Sequence, residues 1–337
     1  MPQYVVSGIM DDFQKNLTDF RERFSTEESC IDYLIALRWP NGFECPICGK
    51  KKVRRTTRGL FECQKCLRQT SVTAGTLFHD TRKPLRLWFE AMWHITNQKY
   101  GANALGLQRV LGLGSYHTAW QWLHRLRRAM VRPGRDKLSG TVEIDETYIG
   151  GERSGKRGRG ADNKDLVAVA IEDKSKESTT GKGIGRIRLQ LIPNASAESL
   201  NDFIKANVNE GSCIRTDGWS GYHSVSTIGY EHVVANSMDL KIAHLSISLL
   251  KRWLLGTYQG PVNSIHLSYY LDEFTFRFNR RTSGSRGQLF YRLLQQSLLS
   301  DPVPCKEIVG GKATHASTIS ENVGNLQDIP FQHGYHM

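Results

Sequence analysis

The sequence predicts an α/β protein: a mixed sheet flanked by helices, preceded by a small cysteine-bearing module and a helical segment. Three observations carry this prediction. Hydrophobic periodicity is helical through residues 85–130 and turns strand-like around residue 140. Four of the seven cysteines, Cys45, Cys48, Cys63 and Cys66, are spaced C-x2-C-x14-C-x2-C. The net charge of +12 is concentrated, with −3 over residues 1–40, +14 over 41–140 and +1 over 141–337. At 337 residues the chain has room for about two domains. Its composition, 39% hydrophobic and 23% charged, excludes wholesale disorder. The longest aliphatic run, Leu166 to Ile171, is too short for a bilayer, and the first residues lack a basic stretch followed by an apolar one. The expected location is the cytosol.

Residues 1–40 form a helical lead-in. Ser25 and Glu28 have capping-box spacing, and Ile31, Leu34 and Ile35 follow at helical intervals. Residues 41–70 hold the four cysteines. In a reducing compartment this spacing suits tetrahedral thiolate coordination of zinc, with each C-x2-C pair forming a knuckle and a hairpin between the pairs. Four thiolates leave no open coordination position, so this zinc is structural. The module also carries Lys50, Lys51, Lys52, Arg54, Arg55 and Arg58, followed by Lys65 and Arg68. Concentrated positive charge suits a polyanion such as DNA. A solvated basic face accounts for the charge alone equally well.

Residues 71–138 read as helical. Leu85, Trp88, Phe89, Met92 and Trp93 form a stripe expected to be core. Asn103–Leu111 and Tyr116–Met130 flank a Gly112-Leu113-Gly114-Ser115 break and suggest a helix-turn-helix. Ala119, Trp122, Leu123 and Leu126 would pack inward, leaving His117, Gln121, Arg125 and Arg128 partly outward. Residues 139–285 form the α/β domain. Strands are expected at 142–149, 166–172, 185–192, 213–217 and 230–234, with helices at 196–207, 244–255 and 264–281. The Gly- and Arg-rich stretch 150–165, with Arg157 and Arg159, reads as a mobile hairpin tip that tracks a DNA backbone or is simply a solvated turn. Residues 286–337 are read as a helix end and a loosely ordered tail.

Alternation in Val142-Glu143-Ile144-Asp145 turns Glu143 and Asp145 to one face, and Asp217 ends the strand Cys213–Thr216. Carboxylates from neighbouring strand ends can hold the divalent metal that phosphoryl transfer requires. From the two aspartates alone, ordinary turn residues are the plainer explanation.

Several blocks in order change that balance: the cysteine module; Gly75-Thr76-Leu77-Phe78-His79; Leu105-Gly106-Leu107-Gln108 with Thr118-Ala119-Trp120; Val142-Glu143-Ile144-Asp145-Glu146-Thr147-Tyr148; Arg215 through Tyr222; Ser248 through Trp253; and Tyr270 through Phe274 with Phe278-Asn279-Arg280. Over roughly residues 25–300 the chain resembles the zinc-ribbon bacterial insertion-sequence transposases of the ISXO type, related to the Merlin transposons. The resemblance implies an RNase H-like domain of the DDE superfamily, which cuts and joins DNA with Mg²⁺ or Mn²⁺. It places the family's first two acidic ligands on Asp145 and Asp217. The third falls on His244, seven residues before the family's lysine at Lys251. Members of the group vary there among Glu, Asn and His. A neutral imidazole suits Mg²⁺ less well than Mn²⁺. Glu273 is the nearest rival carboxylate.

The expected partners are element ends and target DNA, with a homo-oligomer in the synaptic complex and no membrane. DNA-bound protein would sit with the bacterial nucleoid. Two alternatives remain at this stage: a catalytically silent DNA-binding derivative of a transposase, and a metal-dependent nuclease that does not join strands.

Overall fold

The computed structural model describes residues 13–132, 134–150, 164–178, 183–259 and 262–311. Among them no helix is long and apolar enough to cross a membrane. The chain opens with α1 (Leu17–Arg23) and α2 (Glu27–Arg38). The cap of α2 lies one residue later than the sequence suggests. Thr26 accepts from the Ser29 amide, and the Thr26 amide donates back to the Ser29 hydroxyl. Glu27 instead reaches across to the start of α3 (Leu85–Asn97), where its carboxylate accepts from the amides of Leu85 at 2.7 Å and Arg86 at 3.0 Å. Pro84 at the N-cap of α3 has no side chain to offer, so the distant carboxylate satisfies the orphan amides.

Between α2 and α3 the cysteine module folds as a three-stranded antiparallel sheet, β1 (Val53–Arg55), β2 (Phe61–Cys63) and β3 (Gln69–Thr70), one strand more than a hairpin. Its small core is Phe43, Cys45 and Cys63, with Trp39 and Phe61 packed against it.

The helical body adds α4 (Ala104–Leu111) and α5 (Tyr116–Ala129). Gly112 ends α4 in the left-handed conformation, φ +61°, which glycine adopts without strain. Leu85, Trp88, Phe89, Met92 and Trp93 are buried as the stripe predicted, as are Ala119, Trp122, Leu123 and Leu126. The core is completed from far along the chain. Helix α9 (Arg286–Leu299) sends Phe290 among Phe20, Phe24, Phe89 and Trp93, and a short α10 (Cys305–Val309) follows. A helix end running into a loose tail does not describe residues 286–311.

The α/β domain is a five-stranded sheet: β4 (Thr141–Ile149), β5 (Asp165–Asp173), β6 (Ile184–Ile192), β7 (Cys213–Thr216) and β8 (Glu231–Val234), ordered β6-β5-β4-β7-β8. Strand β5 is antiparallel to both β4 and β6, whereas β7 and β8 run parallel to β4. This is the mixed sheet flanked by helices that the sequence predicts. Helix α6 (Ala197–Asn207) covers one face, packing Leu200, Phe203 and Ile204 on Val142, Ile144, Ala168 and Ala170. Helices α7 (Lys241–Tyr258) and α8 (Leu267–Phe278) cover the other, over Val167, Val169 and Ile171. Strand β5 lies between both layers, which is why Leu166–Ile171 is apolar without alternation.

Candidate active site and zinc module

The sheet face that alternation assigns to Glu143 and Asp145 is covered by α7. Glu143 is buried, and both carboxylate oxygens are engaged. One accepts from Arg215 at 3.2 Å; the other accepts from the amides of Ile242 at 3.0 Å and Ala243 at 2.9 Å. Helix α7 has Leu240 at its N-cap and no capping side chain of its own, so Glu143 supplies the cap. Burial is the main influence on the Glu143 carboxyl and raises it above its ordinary range, partly opposed by the α7 amides and Arg215.

One turn into α7, His244 Nε2 lies 3.3 Å from Asp145 Oδ2, with the side chains 44% and 17% exposed. The pair is therefore accessible from outside. Asp145 Oδ1 accepts from the Glu146 amide at 2.8 Å, which fixes the carboxylate's orientation. Glu143 pairs with Arg215 across the β4–β7 ladder. Asp217 directly follows Thr216, the last residue of β7, the strand beside β4. Asp217 Oδ1 accepts from the Trp219 amide at 3.1 Å, and Trp219 Nε1 donates to the Ala195 carbonyl at 2.8 Å. A Cβ on Gly221 would stand 2.6 Å from that carbonyl, so glycine is required there. Tyr222 is buried on the α6 side of the sheet. Burial, reinforced by the negative charges of Glu146, Asp145 and Asp217, pushes its phenol well above the ordinary value. Lys251 is exposed, and at about 20° of rotation from His244 around the helix it shares that side chain's outer face.

The structure thus brings Asp145 to His244 and sets Asp217 one residue past the end of the adjacent strand β7. Two carboxylates and an imidazole are donor types that Mn²⁺ accepts, and Mg²⁺ accepts the carboxylates. Among the described residues, the group of three or more ligands with all donor atoms within 4.8 Å of one another is the four cysteines. Asp217 therefore does not close on Asp145 and His244 that tightly.

Glu273 is no rival. It is fully buried in α8, held by Arg127 Nε at 2.8 Å and Arg277 Nε at 2.9 Å, far into the helical interface. Alternation gave the face of Asp145, and the family resemblance singled out His244 and Lys251. The capping role of Glu143 was not legible, since its partners lie 99 and 100 residues away.

In the cysteine module, Cys45 and Cys66 sulfurs are 3.5 Å apart, as are those of Cys48 and Cys63. The knuckle amides of Cys66 and Lys65 pull the Cys63 thiol down to about 6. Cys45 is also lowered, the amides of Cys48 and Ile47 outweighing its burial. The Arg68 amide lowers Cys66, but desolvation and the neighbouring Cys45, Cys48 and Cys63 outweigh it and push this thiol up to about 11. Four sulfurs converging on one point fit a structural zinc. Lys50, Lys51, Lys52, Arg54, Arg55 and Arg58 are all exposed; Arg54 also pairs with Glu62 at 2.6 Å. Arg125 and Arg128 are half-buried, lining a small cavity with Leu77, Ser300, Asp301 and Val303, and Arg128 donates to the Asp301 carbonyl at 3.0 Å. Arg157 and Arg159 lie outside the described residues.

Comparison with known proteins agrees with this architecture. Residues 137–279 match the family of the ISXO2-like transposase domain, and residues 25–69 match the transposase zinc-ribbon domain. An uncharacterized protein in transposable element ISH50 of Halobacterium salinarum is 25% identical over 281 residues, spanning 75% of this chain and 91% of that protein. Among solved structures, a pre-cleavage Mos1 transpososome is similar at 14% identity and a TM-score of 0.26, covering 62% of this chain and 78% of that one. The Mos1 strand transfer complex is similar at 12% identity and a TM-score of 0.27, covering 68% and 78%.

Proposed function

We propose that this chain, which carries a transposase zinc ribbon followed by an ISXO2-like transposase domain, is an insertion-sequence transposase that cuts element ends and joins them to target DNA. The observation that supports the reading is the contact of Asp145 with His244 on an open rim, with Asp217 just past the end of the neighbouring strand β7. Asp145, Asp217 and His244 would hold a divalent cation, Mg²⁺ or Mn²⁺. When bound, that cation supplies positive charge at the scissile phosphate and lowers the barrier for an oxygen nucleophile.

The protein's own groups do the rest. Asp145 is oriented by the Glu146 amide and Asp217 by the Trp219 amide, and closing the remaining gap between Asp217 and the Asp145–His244 pair accompanies cation binding. Lys251, on the outer face of α7, binds a non-bridging phosphate oxygen near the break. The exposed cations of the ribbon, Lys50 to Arg58, and those at Arg125, Arg128, Arg157 and Arg159 bind backbone phosphates of the element end. In the first reaction water attacks phosphorus and the bond to the 3′-oxygen breaks, leaving a 3′-hydroxyl and a 5′-phosphate. In the second, that 3′-hydroxyl attacks a target phosphate and displaces the target's own 3′-oxygen. Both are in-line substitutions, so one site serves both. Bringing two ends together calls for at least two copies of the chain.

Asp145→Ala and Asp217→Ala should each abolish cleavage of an element-end duplex while leaving its binding affinity nearly unchanged. Normal cutting by both variants would refute the assignment. Supplying pre-cut ends together with a plasmid separates a transposase, which yields joined products, from a nuclease or a silent binder, which do not.

A further inference from the structure

Glu143 touches three elements at once, and each contact lies one or two residues from a member of the proposed catalytic set. On its own strand it precedes Asp145 by two, so both side chains emerge on the α7 face of β4. Across the ladder it meets Arg215, which precedes Asp217 by two on β7. Through Ile242 and Ala243 it holds the first turn of α7 immediately before His244. Among the described residues no other side chain caps α7, and Glu143 is only 1% exposed, so water does not replace it. From these contacts we infer that Glu143 is a positioning residue that fixes Asp145, Asp217 and His244 relative to one another. It touches neither DNA nor metal.

The physical case has two parts. A buried carboxylate on the N-terminal amides of a helix gains from both hydrogen bonds and the helix dipole, so it sets where the helix begins. Removing it orphans two buried amides and leaves Arg215 with only the more distant Asp173, at 3.7 Å. Helix α7 is then free to slide or rotate on the sheet. Its Leu250 and Leu254 still pack in the core, so the helix persists but its start is no longer specified. The displacement falls on His244, one residue past the cap, while Asp145 stays fixed in the central strand.

The inference rests on the reading of Asp145, Asp217 and His244 as a metal-binding set, and its test separates the two. Mn²⁺ binding is measured by EPR titration for the full chain and for Glu143→Ala, Glu143→Gln and Asp145→Ala, alongside near-UV circular dichroism and element-end DNA affinity. Glu143→Ala should stay folded and bind DNA as before, yet lose about 10- to 100-fold in Mn²⁺ affinity. Glu143→Gln keeps an acceptor oxygen for the α7 amides and should recover part of that loss; if the alanine variant does not fold, the glutamine variant carries the comparison. Amide exchange at Ile242 and Ala243 should quicken in Glu143→Ala, and the His244 ring resonances should shift. Folded variants with wild-type Mn²⁺ affinity and unchanged exchange would overturn the positioning role. If wild type and Asp145→Ala bind Mn²⁺ alike, the metal reading itself fails. Exchange and ring resonances then still decide whether Glu143 places His244.

Discussion

At the residue scale, the unusual member of the site is His244. Its Nε2 stands where it can share an ion with Asp145, yet it adds no negative charge. Replacing it by glutamate adds a hard oxygen donor and one charge. His244→Glu should therefore raise cleavage with Mg²⁺ relative to Mn²⁺, read as the ratio of initial rates in the two metals. An unchanged or reversed ratio would remove His244 from the metal's surroundings. The sequence made this residue findable through its spacing from Lys251 and a family resemblance, and alternation found Asp145. What it could not convey is that the face carrying Asp145 lies under a helix rather than against solvent. Glu143 looks like an exposed strand residue when only its neighbours in sequence are considered.

At the element scale, two helices start without a capping side chain of their own and borrow a glutamate from elsewhere. Glu27 caps α3 and Glu143 caps α7. Such borrowed caps are invisible to local pattern. The α2 box is local, but a serine hydroxyl at Ser29 does the work that the Ser25–Glu28 spacing assigns to a glutamate. The cysteine module was legible because its spacing alone determines the chemistry. Its core is three side chains and a few flanking aromatics, too little to fold independently. Chelating its zinc, or Cys45→Ser, should unfold residues 41–70 and weaken DNA binding, seen as loss of amide protection there together with a higher dissociation constant. Intact affinity after verified metal loss would contradict the ribbon's role in gripping DNA.

At the scale of the whole molecule, the helical body and the α/β domain are joined by a buried ion cluster. Arg127 of α5 binds Glu273 of α8, stacks on Tyr270 at 4.4 Å and donates to Tyr258 of α7 and the Ala102 carbonyl. Arg277 completes the pairing and also binds the carbonyls of Ile95 and Gln98. Gly101 passes so close that a Cβ would sit 3.0 Å from Glu273 and Trp253. Burial acts on Glu273 to raise its carboxyl, but the two arginines prevail and hold it below its usual 4.5. Its contribution is thus complete above pH about 4.5, the unfolded value. It fades as pH falls through the lower folded value. Glu273→Gln leaves Arg127 buried without its counter-charge and should cost about 3–5 kcal/mol in denaturant unfolding at pH 7. The difference from wild type should shrink below pH 4. A variant as stable as wild type would show that the cluster does not fasten the two bodies. Periodicity marked both helices as amphipathic but could not pair a cation and a carboxylate 146 positions apart.

Helix α9 gives the order of synthesis a physical meaning. Phe290 fills the centre of a ring of aromatics contributed by α1, α3 and the turn before α2. A nascent polypeptide that has emerged only as far as residue 285 has made every basic side chain of the ribbon, yet its first helices still lack the ring they close upon. Until residue 290 emerges the core of the helical body has an unfilled centre, and a prematurely terminated translation product never fills it.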